Sequence, residues 1–203
     1  MSSPDPMPRG EGFAPASSPL GPIPGDEMER TTTSDFGPER FREVLSSFAT
    51  GVTIITANDE GEMVGMSANS FTSVSLDPPL VAFCAAHVST TYPRIRHAGQ
   101  FCVNVLAEDQ VEVAKLFSLR GVDRFASVSW TPAPSGAPAL EGVLAVVDCE
   151  IEAEHDAGDH VVVIGRVRHL ETFGDRYPLL FFRGAYGVER ATVPLGDSPP
   201  PLS

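Results

Sequence analysis

The sequence predicts a mainly β (α+β) domain: an antiparallel barrel of short strands with a few short helices. Three observations carry this reading. Alternating or β-branched apolar runs recur between turn residues, at 52–57, 62–68, 80–86, 101–106, 143–153, 161–171 and 179–186. The runs show no βαβ rhythm, so the strands are expected to pair antiparallel. Two of them, 143–153 and 161–171, are joined by His155-Asp156-Ala157-Gly158-Asp159-His160 and read as one long hairpin. Closing such a sheet on itself removes its exposed edges, which favours a small barrel.

Residues 1–34 are rich in Pro, Gly and Ser without an apolar period, and are expected to form a disordered leader. Phe41, Val44, Leu45 and Phe48 then fall at i, i+3, i+4 and i+7, which predicts a helix over 35–48. Ser34 or Asp35 can cap it, Pro38 lies in its first turn, and Gly51 ends it. Residues 52–57 and 62–68 form a hairpin about a turn at 58–61, and 80–86 is a buried strand. Ser89-Thr90-Thr91-Tyr92-Pro93 opens a short helix with hydroxyl caps and Pro in the first turn.

A strand over 101–106 precedes an amphipathic helix over 110–119, with Val111, Val113, Ala114, Leu116 and Phe117 on its apolar side. An irregular segment from Asp123 holds the lone Trp130, the long hairpin follows, and 179–186 supplies a last strand. The Pro-rich residues 191–203 read as a disordered tail, so the folded domain is expected to span 35–190.

Several function classes are excluded at this level. A formal net charge of -13 repels phosphate backbones, so no nucleic-acid partner is expected, and an anionic ligand needs a local positive site. No apolar stretch approaches the roughly 18 residues of a membrane span. The acidic N-terminal region lacks the layout of a secretory signal, and a cytoplasmic location is expected. Cys84, Cys102 and Cys149 stand in no Cys-x-x-Cys arrangement and read as buried free thiols. Neither Gly-x-Gly-x-x-Gly nor a P-loop occurs between a strand and a helix, so any nucleotide must be held by another device.

Three stretches carry candidate chemistry. Residues 65–79, Gly-Met-Ser-Ala-Asn-Ser-Phe-Thr-Ser-Val-Ser-Leu-Asp-Pro-Pro, are a poor core strand. Their small side chains let a flat ligand approach the backbone and offer hydroxyl and N–H donors, although a Ser/Thr-rich connection between strands would look the same. Ser89, Thr90 and Thr91 at a helix start can hold phosphate through free N–H groups and the dipole, or simply cap the helix. Gly158-Asp159-His160 is either a solvated turn or, with His155 and Asp156, a metal cluster; hairpin turns are commonly polar, and no metal is expected.

The order Ser-Ala-Asn-Ser-Phe-Thr-Ser-Val-Ser-Leu-Asp-Pro-Pro-Leu-Val, from Ser67 to Val81, resembles the signature of the flavin reductase-like proteins. These are FMN-binding split barrels serving two-component monooxygenases. The Gly-Asp-His turn and Arg183-Gly184-x-Tyr186-Gly187 are similar to further motifs of that family, and the resemblance spans about residues 36–189. It implies an antiparallel split β-barrel and an NAD(P)H:flavin oxidoreductase that reduces FMN (or FAD) with NADH or NADPH. It also implies a homodimer and a flavin-dependent monooxygenase partner that receives reduced flavin.

The resemblance further implies that Ser67, Ala68, Asn69, Ser70, Ser73, Val74 and Ser75 face the flavin ring. Ser89, Thr90 and Thr91 lie at its phosphate, and Gly158, Asp159 and His160 meet the nicotinamide substrate, with His160 as the catalytic residue. Arg94, Arg96, Arg124 and Arg183 compete for the phosphate, and Arg96 and Arg183 are the expected cofactor ligands. The ring accepts the hydride, so no acid–base dyad is needed. A non-catalytic flavin- or haem-binding protein of the same fold, or an oxidase of the pyridoxamine phosphate oxidase type, are the alternatives.

Overall fold

The computed structural model describes residues 36–188. The leader at 1–34 and the tail at 191–203 lie outside the described residues. The first helix, α1 (Pro38–Leu45), is shorter than the pattern suggests and ends six residues before Gly51, which belongs to strand β1 (Thr50–Gly51). Strands β2 (Thr53–Asp59) and β3 (Glu62–Ala68) form the expected hairpin, with Asn58 Oδ1 accepting the Gly61 N–H at 2.7 Å. The Ser/Thr-rich stretch becomes β4 (Thr72–Leu76), which turns back into β5 (Pro79–Ala86).

Helix α2 (Tyr92–Ala98) and strand β6 (Gln100–Val105) follow, separated by Gly99, whose φ of 69° closes the helix. Helix α3 is Val111–Ser118. The segment expected to be irregular contains a small hairpin, β7 (Trp130–Pro132) and β8 (Pro138–Leu140). The long hairpin is β9 (Ala145–Ala157) and β10 (His160–Thr172), whose strands run through His155 and Asp156 to a two-residue Gly158-Asp159 turn. Its length excludes a broad polar loop, and strand alternation sends His155 and Asp156 to opposite faces.

The expected last strand is two strands, β11 (Leu179–Phe182) and β12 (Ala185–Val188). Arg183 and Gly184 between them both have positive φ, 48° and 77°, the conformation a tight hairpin turn demands. The seven-stranded sheet runs β3-β2-β6-β9-β10-β5-β4, and β1-β11-β12 and β7-β8 form two smaller sheets. All these pairings are antiparallel. The fold is therefore mainly β with three helices among the described residues, as the pattern predicts, while the large sheet is open between its edge strands β3 and β4.

The central strands are apolar on both faces because both faces are covered. Ile54 and Ile55 are fully buried in separate clusters, one with Leu106, Phe117, Leu140 and Leu179, the other with Phe83, Ile95, Phe101 and Val163. Helix α2 covers the second cluster through Tyr92 and Ile95, and α3 with the β7–β8 hairpin covers the first. The three cysteines are free thiols, and burial pushes Cys102 and Cys149 up to about 12. None of the helices among the described residues is long and apolar enough to cross a membrane.

Candidate functional site

The site begins with a glycine. A Cβ on Gly65 would lie 2.6 Å from the Phe117 ring, so only glycine in β3 lets α3 pack this closely. That approach also brings the loop after α3 against β3, where Arg124 Nη1 donates to Gly65 O at 2.9 Å and to Thr91 Oγ1 at 3.2 Å. The remaining Arg124 nitrogens donate to Leu119 O. One guanidinium thus joins β3, the start of α2 and the end of α3, and its partial burial lowers its pKa.

Two cavities adjoin these elements, and another lies beyond the end of β3. The first, about 270 Å³, lies between β3 (Met66, Ser67), the end of β5 (Ala86), Ser89–Thr91, the end of α3, Arg120 and Arg124. The second, about 990 Å³, is lined by α1, Asn69–Thr72, Phe181, Gly184 and His160. His160, on the second cavity, pairs in register with Ala86, on the first, across the β5–β10 ladder. The third, about 510 Å³, shares Thr90, Thr91 and Arg124 with the first and extends along β3 and the loop at 121–125.

The structure thus gathers Ser67, Ser89, Thr90 and Thr91 around one cavity, and Asn69, Ser70 and His160 around its neighbour. Ala68 is buried, and its carbonyl accepts the Thr53 hydroxyl at 2.8 Å. Ser70 Oγ accepts the Cys84 N–H at 2.9 Å, which fastens the ledge to β5. Ser73, Val74 and Ser75 lie on edge strand β4 and line none of the three cavities.

The start of α2 differs from a free anion nest. Ser89 Oγ accepts the N–H groups of Thr91 at 3.3 Å and Tyr92 at 3.1 Å, and Pro93 has no N–H to offer. Positive potential comes instead from guanidinium groups. Arg94 is tied to Asp59 at 2.6 Å and Arg96 to Glu154 at 2.9 Å, and Arg40, Arg166, Arg168 and Arg176 are also paired with carboxylates. Hydrogen bonds from His97 and then Arg94 hold the Asp59 carboxyl below its ordinary range.

Among the described residues, Arg42, Arg120, Arg124 and Arg183 have no carboxylate partner, and two of these, Arg120 and Arg124, line the same 270 Å³ cavity. Arg183 sits at the β11–β12 turn, its guanidinium 5.1 Å from the centre of the Phe182 ring. Sequence reasoning missed Arg120. The available signal was Leu119-Arg120-Gly121-Val122-Asp123-Arg124, two arginines in a glycine-bearing loop directly after a helix.

At the long hairpin, Gly158 has a φ of 66°, which the tight turn requires. His160 Nδ1 lies 2.7 Å from Asp159 Oδ1, and that hydrogen bond holds the Asp159 carboxyl below its ordinary range. The Asp159 carbonyl accepts the His87 N–H at 3.0 Å, so the turn is pinned to the strand end beside the first cavity. The imidazole is oriented by Asp159 and half-buried at the rim of the 990 Å³ cavity.

Comparison with known proteins gives a consistent picture. The flavin reductase like domain matches residues 45–189. The chain is 50% identical over 159 residues to the reductase subunit HsaB of a flavin-dependent monooxygenase from Rhodococcus jostii (strain RHA1), covering 77% of this chain and 82% of that protein. It is 39% identical to the FMN reductase (NADH) SmoA of Agrobacterium fabrum (strain C58 / ATCC 33970), covering 81% of this chain and 88% of that one. The crystal structure of a nitrilotriacetate monooxygenase component B homologue from Mycobacterium thermoresistibile superposes with a TM-score of 0.73 at 44% identity, covering 78% and 92% of the two chains. With most of its described residues inside the matched span, the chain belongs to the flavin reductase like domain family.

Proposed function

We propose that this chain is an NAD(P)H-dependent flavin reductase that reduces FMN (or FAD) and supplies reduced flavin to a partner monooxygenase. The observation that carries the reading is the convergence of Arg120 and Arg124 on one cavity of an otherwise carboxylate-rich protein. Two cations without carboxylate partners beside the Ser89 and Thr90 hydroxyls fit a flavin phosphate. The adjoining ledge at Ser67, Ala68, Asn69 and Ser70 fits the ring's polar edge, chiefly through Ser67 Oγ and backbone groups. Bound there, flavin supplies the hydride-accepting chemistry itself. The names of the relatives, a monooxygenase reductase subunit and an NADH-dependent FMN reductase, support the same assignment.

Ser67 of β3 and Ala86 of β5 line one small cavity although their strands are far apart in the sheet order, which supports a sheet curled into a split barrel. The working unit is a homodimer located in the cytoplasm. The apolar side of α1 and the turn after it support the dimer, since the helix buries no residue and Leu45 at its end and Phe48 beyond it are 51% and 74% exposed. Sedimentation equilibrium of the intact chain should return twice the chain mass, and Phe48→Asp should shift it toward the monomer; a monomeric wild type rejects this assembly.

His160 orients the nicotinamide nucleotide from the rim of the larger cavity, with Asp159 fixing its ring. A residue that positions only the second substrate contributes to that substrate's binding. His160→Ala should therefore raise the KM for NAD(P)H about 2–13-fold, the equivalent of one net hydrogen bond. Flavin affinity should stay close to wild type. Steady-state kinetics with a parallel flavin titration and thermal melt checks this: a normal KM with a lowered melting temperature would make His160 a turn residue only. The overall reading is tested by flavin fluorescence titration and NAD(P)H consumption with each flavin, and absence of binding to either flavin removes it.

A further inference from the structure

Among the described residues, the four arginines without a carboxylate partner fall into two pairs. Arg120 and Arg124 line the 270 Å³ cavity, and the proposed flavin phosphate accounts for them. Arg42, in the last turn of α1, lines the 990 Å³ cavity, and Arg183 stands beside it, next in the chain to the lining residue Gly184. The backbone holds this second pair together: the Arg183 N–H donates to Ser46 O at 3.0 Å, which ties the β11–β12 turn to the residue directly after α1.

The rest of the lining says what kind of group suits the space. Among the described residues no carboxylate lines this cavity, although the formal net charge of the chain is -13, so Arg42 faces it as an uncompensated cation and an anion is favoured there. Leu45, Phe48, Phe71 and Phe181 supply apolar and aromatic wall for a ring. The Thr50 hydroxyl, on the same lining, is buried and has no hydrogen-bond partner, a polar atom that the chain alone does not satisfy. His160 completes the lining, its Nδ1 engaged by Asp159. At about 990 Å³ the space lies at the upper end of the about 300–1,000 Å³ typical of small-molecule sites. The fitting ligand is therefore large, anionic and ring-bearing, and NAD(P)H carries a pyrophosphate between two ring-bearing ribosides.

Resting on the flavin reductase reading above, in which His160 orients the nicotinamide, we infer that Arg42 is a binding residue for NAD(P)H, its guanidinium holding the pyrophosphate, with Arg183 adding a second positive charge at the rim. Arg42 thereby selects the hydride donor by its phosphates. A dihydronicotinamide without phosphates offers it nothing to hold.

The test is steady-state kinetics of the intact chain at saturating FMN with two hydride donors: NADH or NADPH, whichever the wild type consumes, and 1-benzyl-1,4-dihydronicotinamide, which has no phosphate. Arg42→Ala should raise the KM for the nucleotide at least about tenfold relative to the KM for the benzyl compound, the effect of one charge-assisted contact. Arg42→Lys keeps the charge without the planar fork and should fall between the two. Arg183→Gly, which suits the φ of 48°, should give a smaller rise specific to the same donor. An unchanged KM for the nucleotide in Arg42→Ala overturns the inference, and so does an equal rise for both donors, which marks a disturbed helix. Leu45 and Phe48 also belong to the proposed dimer face, so each variant is sedimented in parallel. A shift of Arg42→Ala toward the monomer with an unchanged KM assigns Arg42 to the assembly and overturns the inference while leaving the reductase reading intact. If the wild type reduces flavin with neither donor, both readings fall.

Discussion

Replacing Arg120 and Arg124 together with Ala should reduce FMN affinity by roughly two to four orders of magnitude, because each charge-assisted contact to a phosphate is worth about 1.5–3 kcal/mol. The two replacements are not equivalent. Arg120 is exposed on the cavity rim, so Arg120→Ala reports on the ligand with little structural consequence. Arg124 also ties Gly65, Thr91 and Leu119 together, and its loss loosens the loop after α3. Arg124→Lys keeps the charge but cannot span those oxygens, so it should fall between wild type and Ala.

Riboflavin provides the internal control, since it carries the ring without phosphate. In the wild type FMN should bind far more tightly than riboflavin, and in the double variant this gap should nearly close while riboflavin itself binds as before. The two guanidiniums are neighbours, so their single effects need not add, and the double variant is the informative one. If the gap persists, the phosphate lies elsewhere, and Arg183 at the β11–β12 turn is the next position to test.

How much of this was legible follows from which signals are local. The β9–β10 hairpin announces itself in sequence because alternation and a Gly-Asp turn lie within one continuous stretch. The β7–β8 hairpin does not, since its strands are three residues each and each holds a proline. It exists because Leu140 and Trp130 are needed to cover one face of the sheet. The β11–β12 turn was hidden for another reason: Arg183 takes a positive φ that its residue type rarely adopts, so the run reads as one strand.

The same distinction applies to the site. Ser67, Ser89 and Thr90 stand out by composition, and the structure brings them to one cavity. Which arginine remains unpaired depends on where every carboxylate falls. Arg94 and Arg96 look well placed beside a helix start until Asp59 and Glu154 arrive from other strands to neutralise them. Arg120 escapes notice in sequence and Arg124 is there one of four competing arginines, and the fold leaves both without such partners.

The β7–β8 hairpin has no long hydrogen-bonded edge to the main sheet and is anchored by buried polar side chains, Asp148 at its turn through Ser135 and Asn104 with Thr56 under β8, which leads to the second large expected effect. Asn104 on β6 is fully buried; its Oδ1 accepts the Leu140 N–H at 2.7 Å, and its Nδ2 donates to Ile54 O and Thr56 Oγ1, both at 3.1 Å. Thr56 Oγ1 in turn donates to Pro138 O at 2.5 Å. Asn104→Ala strands the Leu140 N–H, removes the donors to Ile54 and Thr56, and leaves a void, for an expected loss of about 3–5 kcal/mol. Thr56→Val keeps the volume and loses only the hydroxyl, so about 1–3 kcal/mol is expected. Chemical denaturation measures both, and native-state hydrogen exchange should show the Leu140 amide opening first in Asn104→Ala. Because the hairpin follows the loop that carries Arg124, the same variant should weaken flavin binding under conditions where the chain is still folded. A change below about 1 kcal/mol would mean that the apolar contacts of Leu140 and Trp130 hold the hairpin without this network.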